Sequence, residues 1–185
     1  ITPMKIKALI MNHNDKAFEQ QMAEIKRGGL GKEVLNFEKK YIQASDKRKQ
    51  IISKIVERCD KNTLILFHSI EHGQALLNYL EKSCPDKEYY YIDGSITNKK
   101  REVIKKNMEK TDGKVKVLIA SYGTLSTGVS IKAIFNVIFA DSFKSEQIII
   151  QSIGRALRLH KDKATAMIFD LVDIFTDVNP SNILY

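Results

Sequence analysis

The sequence predicts an α/β fold in which helices cover both faces of a parallel β-sheet. Short apolar runs are typical of buried strands, and Thr63–Phe67 is the clearest of them. Segments with apolar residues at helical spacing separate these runs; the helix predicted over residues 71–83, for example, carries its leucines on one side. Because strands that alternate with helices are joined by right-handed crossovers, the sheet is expected to be parallel.

In chain order, strands are predicted over residues 5–11, 63–67, 89–92, 115–120, 134–140 and 164–171. Helices are predicted over residues 15–26, 32–43, 46–59, 71–83 and 97–110, and in a segment that begins at Ser145. Ser45 or Asp46 and Thr97 are residue types that cap helix N-termini. The glycine-rich stretch 27–33 lacks the first Gly and the Ser or Thr of a phosphate-binding loop, so it is interpreted as a link between two helices.

Composition limits the classes of function. The chain has 185 residues, of which 43% are apolar, and this predicts one domain over residues 1–175 with a linker or truncated tail over residues 176–185. A net charge of +8 favours a polyanionic partner, with nucleic acid first. No apolar run approaches the roughly 18 residues of a membrane span, so no membrane partner is expected. Cys59 and Cys84 are too far apart in sequence for a C-x-x-C metal site, and they suit a reducing, cytoplasmic compartment.

Ligands of parallel sheets bind beyond the carboxyl ends of the strands, so the turns predicted there are candidate sites. These turns are residues 68–70, 93–95, 121–130, 141–145 and 170–173. The turn over residues 121–130 is rich in small hydroxyl residues and glycine, which contact phosphate oxygens at close range, although an ordinary surface loop has a similar composition. Ser69 fits a sugar–phosphate contact and a plain helix cap equally well.

The second candidate is the pattern Q-x-x-G-R-x-x-R at Gln151, Gly154, Arg155 and Arg158. In a helix, the two arginines project from the same side. Their planar guanidinium groups bind phosphate oxygens in bidentate fashion, and the bare Gly154 lets another surface approach. The pattern therefore indicates a polyphosphate site, with a solvent-exposed basic helix face as the alternative.

These segments, in this order, resemble the second RecA-like domain of superfamily 2 helicases, and most of all the phage UvsW type of DNA helicase. Residues 64–73 resemble motif IV, residues 91–95 with Arg101 the segment after it, residues 117–130 motif V, residues 151–158 motif VI, and residues 169–173 the strand that follows. The resemblance runs from Lys5 to Asp173. Four motifs in the expected order make it specific.

The resemblance implies a role for each matching position. Arg155 and Arg158 would be arginine fingers that reach the γ-phosphate of ATP, with Gln151 beside them. Gly128 and Ser130 would approach the nucleotide sugar, although many superfamily 2 members have Asp at the position of Ser130. Contacts with nucleic acid would come from residues at the strand-end turns, namely Ser69, Gly94, Ser121, Gly123 and Thr124.

The sequence contains neither a Walker A loop nor an Asp-Glu magnesium box. The resemblance therefore implies that ATP and Mg²⁺ are completed by an N-terminal RecA-like domain of the same protein, and that this chain is a piece of a longer one and is inactive alone. The implied whole is an ATP-dependent DNA helicase or translocase that remodels branched DNA in recombination, repair or replication-fork processing. If the protein is phage-encoded, its location is the host cytoplasm.

Three alternatives remain at this point. The motor could belong to a superfamily 2 RNA helicase, or to a restriction-type or chromatin-type translocase, because the four motifs barely distinguish these. The chain could instead be a stand-alone nucleic-acid-binding module without ATPase activity. A small-molecule phosphotransferase would need its own general base and phosphate cradle, and no convincing pair is present in the sequence.

Overall fold

The computed structural model describes residues 3–29, 31–126, 131–141 and 165–175, and these form one six-stranded sheet. The strands lie in the order β1-β6-β5-β2-β4-β3, and every neighbouring pair is parallel. They are β1 (Met4–His13), β2 (Thr63–Phe67), β3 (Glu88–Ile92), β4 (Lys116–Ser121), β5 (Asn136–Phe139) and β6 (Ala166–Phe175). The helices are α1 (Lys16–Arg27), α2 (Gly31–Ala44), α3 (Asp46–Arg58), α4 (Ile70–Ser83), α5 (Asn98–Met108) and α6 (Tyr122–Ser126).

Four of these helices begin at a side chain that caps them. The oxygens of Asp15, Ser45, Ser69 and Thr97 each accept a hydrogen bond from the backbone N–H three residues further along. Such caps satisfy donors that the first helical turn leaves without a partner, and each contributes about 1 kcal/mol. The caps predicted at Ser45 and Thr97 are confirmed.

Helices cover both faces of the sheet, as predicted. On one face, Ile52 of α3 and Leu76 of α4 pack with Ile65 of β2 in a buried cluster. On the opposite face, Met108 and Tyr122 pack in a second cluster with residues of the same strands. The side chains of β2 and β4 therefore have helices above and below them, which explains their continuous apolar sequence.

Gly73 sets the distance between α4 and the carboxyl end of β2. A Cβ atom at this position would lie 2.6 Å from ring atoms of Phe67. The Phe67 ring is fully buried and stacks on Tyr91 with centroids 5.4 Å apart, so it has no room to move away. Only glycine permits this approach, and it brings the N-terminal turn of α4 close to the end of β2.

Two of the predicted strand-end turns are wrong in part. Residues 170–173 lie inside β6, as the resemblance over residues 169–173 implied, and β6 pairs with β1 over ten residues from Met4↔Ala166 to His13↔Phe175. The ladder with β1 extends β6 through aspartates that sequence preference alone disfavours in strands. The turn predicted after β4 begins instead with the short helix α6. The helix predicted from Ser145 and the tail predicted over residues 176–185 fall outside the described residues.

Candidate functional site

The sheet order places several predicted contact residues along one edge. Because β5, β2, β4 and β3 are consecutive parallel neighbours, their carboxyl ends form a continuous row. Ser69 follows β2, Gly94 follows β3, and Ser121 ends β4 where α6 begins. This is the edge at which parallel sheets bind ligands. The other predicted site residues, Gly128, Ser130, Gln151, Arg155 and Arg158, lie outside the described residues, so their placement stays a prediction.

Ser69 is the N-cap of α4. Its hydroxyl oxygen accepts a hydrogen bond from the backbone N–H of His72 at 3.2 Å, and the hydroxyl donates to Gln43 Oε1 at 3.0 Å. The helix-cap interpretation of Ser69 is therefore confirmed. A contact of Ser69 with nucleic acid stays a prediction, and it would have to use the remaining lone pair of the hydroxyl oxygen or replace the Gln43 bond.

The three predicted contact residues at the junction of β4 and α6, namely Ser121, Gly123 and Thr124, differ in their solvent exposure. Thr124 is only 4% exposed, and its hydroxyl is hydrogen-bonded to that of half-buried Ser121 at 2.6 Å. Gly123 is exposed, and no described atom lies within 4 Å of the place where its Cβ would be. Gly123 is thus exposed and Ser121 partly exposed, and Thr124 is hydrogen-bonded to the Ser121 hydroxyl.

The turn after β3 is held by hydrogen bonds within it. Asp93 Oδ1 accepts from the backbone N–H of Ser95 at 2.8 Å and from its hydroxyl at 2.6 Å. The Arg101 guanidinium donates to the Asp93 carbonyl at 3.3 Å. The Ser95 hydroxyl is the main reason that the pKa of Asp93 lies below its usual value, although burial of the carboxyl opposes this shift. Gly94 lies exposed between these anchored residues.

We expect this turn to contribute a pH-dependent part of stability. Because the pKa of Asp93 is lower in the folded than in the unfolded state, its contribution is present above the unfolded value of about 3.9 and is lost as the pH falls through the folded value. Urea unfolding of the wild type and of Asp93→Asn should therefore differ most at neutral pH and converge below about pH 4. Other carboxyl groups are common to both proteins, and a difference independent of pH would contradict the assignment.

Sequence reasoning missed a buried ion pair behind this edge. Arg48 of α3 is completely buried, pairs with Asp173 of β6, and donates from Nη1 to the carbonyl of Ala140 at 2.9 Å. His13 Nε2 lies 2.7 Å from the other Asp173 oxygen. The partners are more than 90 residues apart in sequence, but one signal was available. Arg48 continues the buried stripe of Ile52 and Val56 by one helical turn.

Asp141, just beyond β5, was predicted only as part of a turn, and its contacts were missed. It is 4% exposed. Its Oδ2 accepts the backbone N–H of His68 at 2.8 Å, and its carbonyl accepts the Tyr122 hydroxyl at 3.0 Å. Its Oδ1 lies 2.8 Å from His72 Nδ1, although the two atoms are not aligned as a hydrogen bond. One buried residue therefore contacts α4, α6 and the end of β2.

The described residues offer hydrogen-bond donors rather than metal ligands. Within this part of the chain, no group of three or more His, Cys, Asp or Glu side chains is placed to hold a metal ion. In the same residues, no helix has the length and apolar character needed to cross a membrane. Serine hydroxyls and exposed glycine residues at a strand-end edge suit close contact with phosphate oxygens.

The chain is similar to known helicases. The model of the family described as helicase conserved C-terminal domain matches residues 46–160. The ATP-dependent DNA helicase uvsW of Enterobacteria phage T4 is 32% identical over 176 residues, which cover 94% of this chain and 32% of the phage protein. The crystal structure of T4 UvsW aligns with a TM-score of 0.68 and 29% identity, covering 92% of this chain and 32% of that one. The chain thus spans about a third of the length of these relatives.

Two more distant structures share the fold. The C-terminal part of the Fun30 ATPase domain aligns with a TM-score of 0.58 over 69% of this chain and 40% of its own. The E. coli DEAD-box protein SrmB aligns with a TM-score of 0.55 over 68% of this chain and 70% of its own. Both are 20% identical to it. The predicted RecA-like architecture is confirmed, and the chain belongs to the helicase conserved C-terminal domain family as a RecA-like domain of the phage UvsW type.

Proposed function

We propose that this chain is the C-terminal motor domain of an ATP-dependent DNA helicase or translocase. The observation that carries the proposal is the row of Ser69, Gly94, Ser121 and Gly123 along one edge of a helicase-family sheet. In the whole protein, ATP binds between this domain and an N-terminal RecA-like domain. Residues 1–175 form the domain.

In this proposal, Arg155 and Arg158 bind the γ-phosphate of ATP, and Gln151 lies beside them. Gly128 and Ser130 lie near the sugar of the nucleotide. Phosphoryl transfer depends mostly on positioning and on neutralising charge at the γ-phosphate, which two guanidinium groups do well. This donor set has no carboxylates, so Mg²⁺ is held by the N-terminal domain. Mg²⁺ would neutralise phosphate charge there, and this chain would contribute the arginines when the domains close.

The nucleic-acid side uses the strand-end edge. The exposed backbones of Gly94 and Gly123 and the Ser121 hydroxyl can approach a sugar–phosphate backbone closely, because none of them carries a bulky side chain. Thr124 supports the nucleic-acid contact of Ser121 through the hydrogen bond between their hydroxyls. Ser69 adds a hydroxyl at the end of the neighbouring strand β2. The net charge of +8 favours the same class of partner.

The substrate we propose is DNA, with branched structures preferred, in recombination, repair or fork processing. The name of the T4 relative, a DNA helicase, supports this choice. Comparing the ATPase of the full-length protein with branched DNA, duplex DNA and RNA tests it. Stronger stimulation by RNA would support an RNA helicase, and equal stimulation by unbranched duplex would support a translocase. The location we propose is the cytoplasm, which is that of the host cell if the protein is phage-encoded.

The isolated 185-residue chain is expected to hydrolyse no ATP and to bind DNA weakly. Its affinity should fall steeply as salt rises, because binding to phosphates releases counterions. Phosphate release and fluorescence anisotropy with a labelled oligonucleotide measure the two properties. Ser121→Ala should weaken binding, whereas Thr111→Ala, at an exposed hydroxyl beyond the opposite edge, should not. Robust ATPase activity of the isolated chain would contradict the proposed division of the site between two domains.

A further inference from the structure

Helices α1 and α2 form a helical hairpin that the proposed function has not used. The hairpin precedes residues 46–160, the part of the chain that the helicase family model matches. Its base lies at the carboxyl-end edge of the sheet, where Phe18 of α1 packs on Phe175, the last residue of β6, with ring centroids 5.0 Å apart. Family membership therefore assigns no role to an element that starts at the same edge as the proposed nucleic-acid contacts.

The hairpin extends beyond this edge rather than back along the sheet. Tyr41 of α2 packs edge-on against His13, the last residue of β1, with ring centroids 5.5 Å apart. Residues 5–7 of β1 are all exposed, although successive side chains of a strand point to opposite faces, so no described helix covers this part of β1. At a rise of 1.5 Å per residue, the last turn of α1 lies about 18 Å from its first.

Hydrogen bonds hold the base of the hairpin beside the proposed nucleic-acid contacts. In the last turn of α2, Gln43 Oε1 accepts a hydrogen bond from the Ser69 hydroxyl at 3.0 Å. The Tyr41 hydroxyl donates to Asp15 Oδ2 at 3.2 Å, and the other oxygen of Asp15 caps α1. Both helices are therefore anchored at the edge, and their length sets how far the turn between them lies from Ser69.

Three exposed cations, Lys26, Arg27 and Lys32, form what we call the basic tip of the hairpin. Among residues 26–33, Glu33 is the single acid. Lys26 and Arg27 lie in the last turn of α1, where the helix dipole stabilises positive charge. Lys32 lies at the start of α2, where the dipole opposes positive charge. Helix stability thus explains two of the three cations, whereas an anionic partner at the tip explains all of them.

Glycines between these cations leave the main chain of the basic tip bare. Gly28 and Gly29 are both exposed, and no described atom lies within 4 Å of the place where a Cβ of Gly29 would be. Gly29 has a φ of 74°, in the left-handed region that favours glycine. A sugar–phosphate backbone can therefore approach this turn closely while the neighbouring cations bind its phosphates.

We propose that the basic tip is a second nucleic-acid contact, which binds phosphates of the duplex next to the strand held at the carboxyl-end edge. The inference rests on the proposed function. A strand at the edge would lie at the base of the hairpin, and the tip, about 18 Å away, would reach the adjoining duplex. Duplex DNA carries one negative charge per about 1.7 Å of its axis, so several phosphates lie within reach of three cations. The tip thereby favours branched substrates over single strands.

The test uses the full-length protein and the tip variant, which combines Lys26→Ala, Arg27→Ala and Lys32→Ala. Fluorescence anisotropy at several salt concentrations follows two probes, namely the shortest single strand that the wild type binds and the same strand extended by a forked duplex. With the forked probe, the tip variant should lose at least about 10-fold in affinity at about 0.1 M salt. The slope of log K against log salt should become shallower by about 3, one for each phosphate contact. With the single strand, affinity and slope should match the wild type.

A second triple variant controls for the loss of net charge. Lys54→Ala, Arg58→Ala and Lys114→Ala together also remove two lysines and one arginine from exposed positions. Arg58 and Lys114 lie just before the starts of β2 and β4, at the end of the sheet opposite the proposed contacts. Affinity of this variant for either probe should stay within about 2-fold of the wild type, because salt screens charges more than about 10 Å away.

The outcomes separate the hairpin from the rest of the proposed function. Equal losses in the two triple variants, or equal losses of the tip variant with the two probes, would overturn the duplex contact. Wild-type binding of the forked probe by the tip variant would also overturn it, and would indicate that the tip faces a protein partner instead. Ser121→Ala should weaken binding of both probes. Failure of the wild type to bind either probe would overturn the proposed function itself.

Discussion

Arg158→Ala in the full-length protein is expected to reduce ATP turnover about 10³–10⁵-fold, the range known for arginine fingers in phosphoryl transfer. The reason is that the guanidinium neutralises charge that develops on the γ-phosphate only in the transition state. DNA affinity should stay nearly unchanged, because the proposed DNA contacts lie on other segments. Steady-state phosphate release and anisotropy measure the two quantities.

Two further variants test whether the loss of turnover is specific to the guanidinium group of Arg158. Arg158→Lys keeps the positive charge but loses the planar, bidentate fork, so it should recover only part of the turnover. Arg58→Ala removes an exposed arginine from the last turn of α3 and should have little effect. Turnover of Arg158→Ala within a few-fold of the wild type would remove the arginine-finger role from this residue.

Arg48→Ala is expected to lower the free energy of unfolding by about 3–5 kcal/mol, as when one partner of a buried ion pair is removed. Asp173 would remain buried without its guanidinium, and the Ala140 carbonyl would lose its donor. Urea unfolding followed by circular dichroism measures the change, with the slope m checked for two-state behaviour.

The neighbouring residue provides the control. Lys49 pairs with an exposed Asp46 one turn away on α3, so Lys49→Ala should cost no more than about 1 kcal/mol. Replacing Arg48 by Met and Asp173 by Leu should restore part of the stability, because no carboxylate or guanidinium is left buried without its partner. The contacts of His13 with Asp173 and of the Ala140 carbonyl with Arg48 would still be lost. Equal losses for Arg48→Ala and Lys49→Ala would show that the ion pair contributes little.

Local sequence was informative where one short segment contains the whole physical cause. The strand β2 is buried on both faces, so its five consecutive apolar residues could be recognised without knowing their neighbours. The caps at Ser45 and Thr97 are equally local, since each side chain bonds to an N–H three residues away. These features identified strand ends, and with them the edge where Ser121 and Gly94 lie.

Features that depend on contacts between segments far apart in the chain could not be predicted from local sequence. The apolar pattern placed Asp173 in a turn and the family resemblance placed it in a strand. Pairing with β1 keeps it in β6, where its carboxylate accepts a hydrogen bond from the buried Arg48 guanidinium. Thr124 is a small hydroxyl residue of the type that contacts phosphate, and the packing of α6 leaves it only 4% exposed. Its contact with nucleic acid stays a prediction. The cost of burying a charge or a hydroxyl depends on which groups surround it, and those groups come from remote parts of the chain.

The sequence by itself determined that strands and helices alternate, where most of them begin, and which turns carry small hydroxyl and glycine residues, because each follows from periodicity and side-chain type over a few residues. Only the tertiary structure decided which side chains at the strand-end edge remain accessible and which are joined beneath it, as Asp141 is to His68 and Tyr122. Strand order and burial set those outcomes, and both arise from contacts between residues that are far apart in the chain.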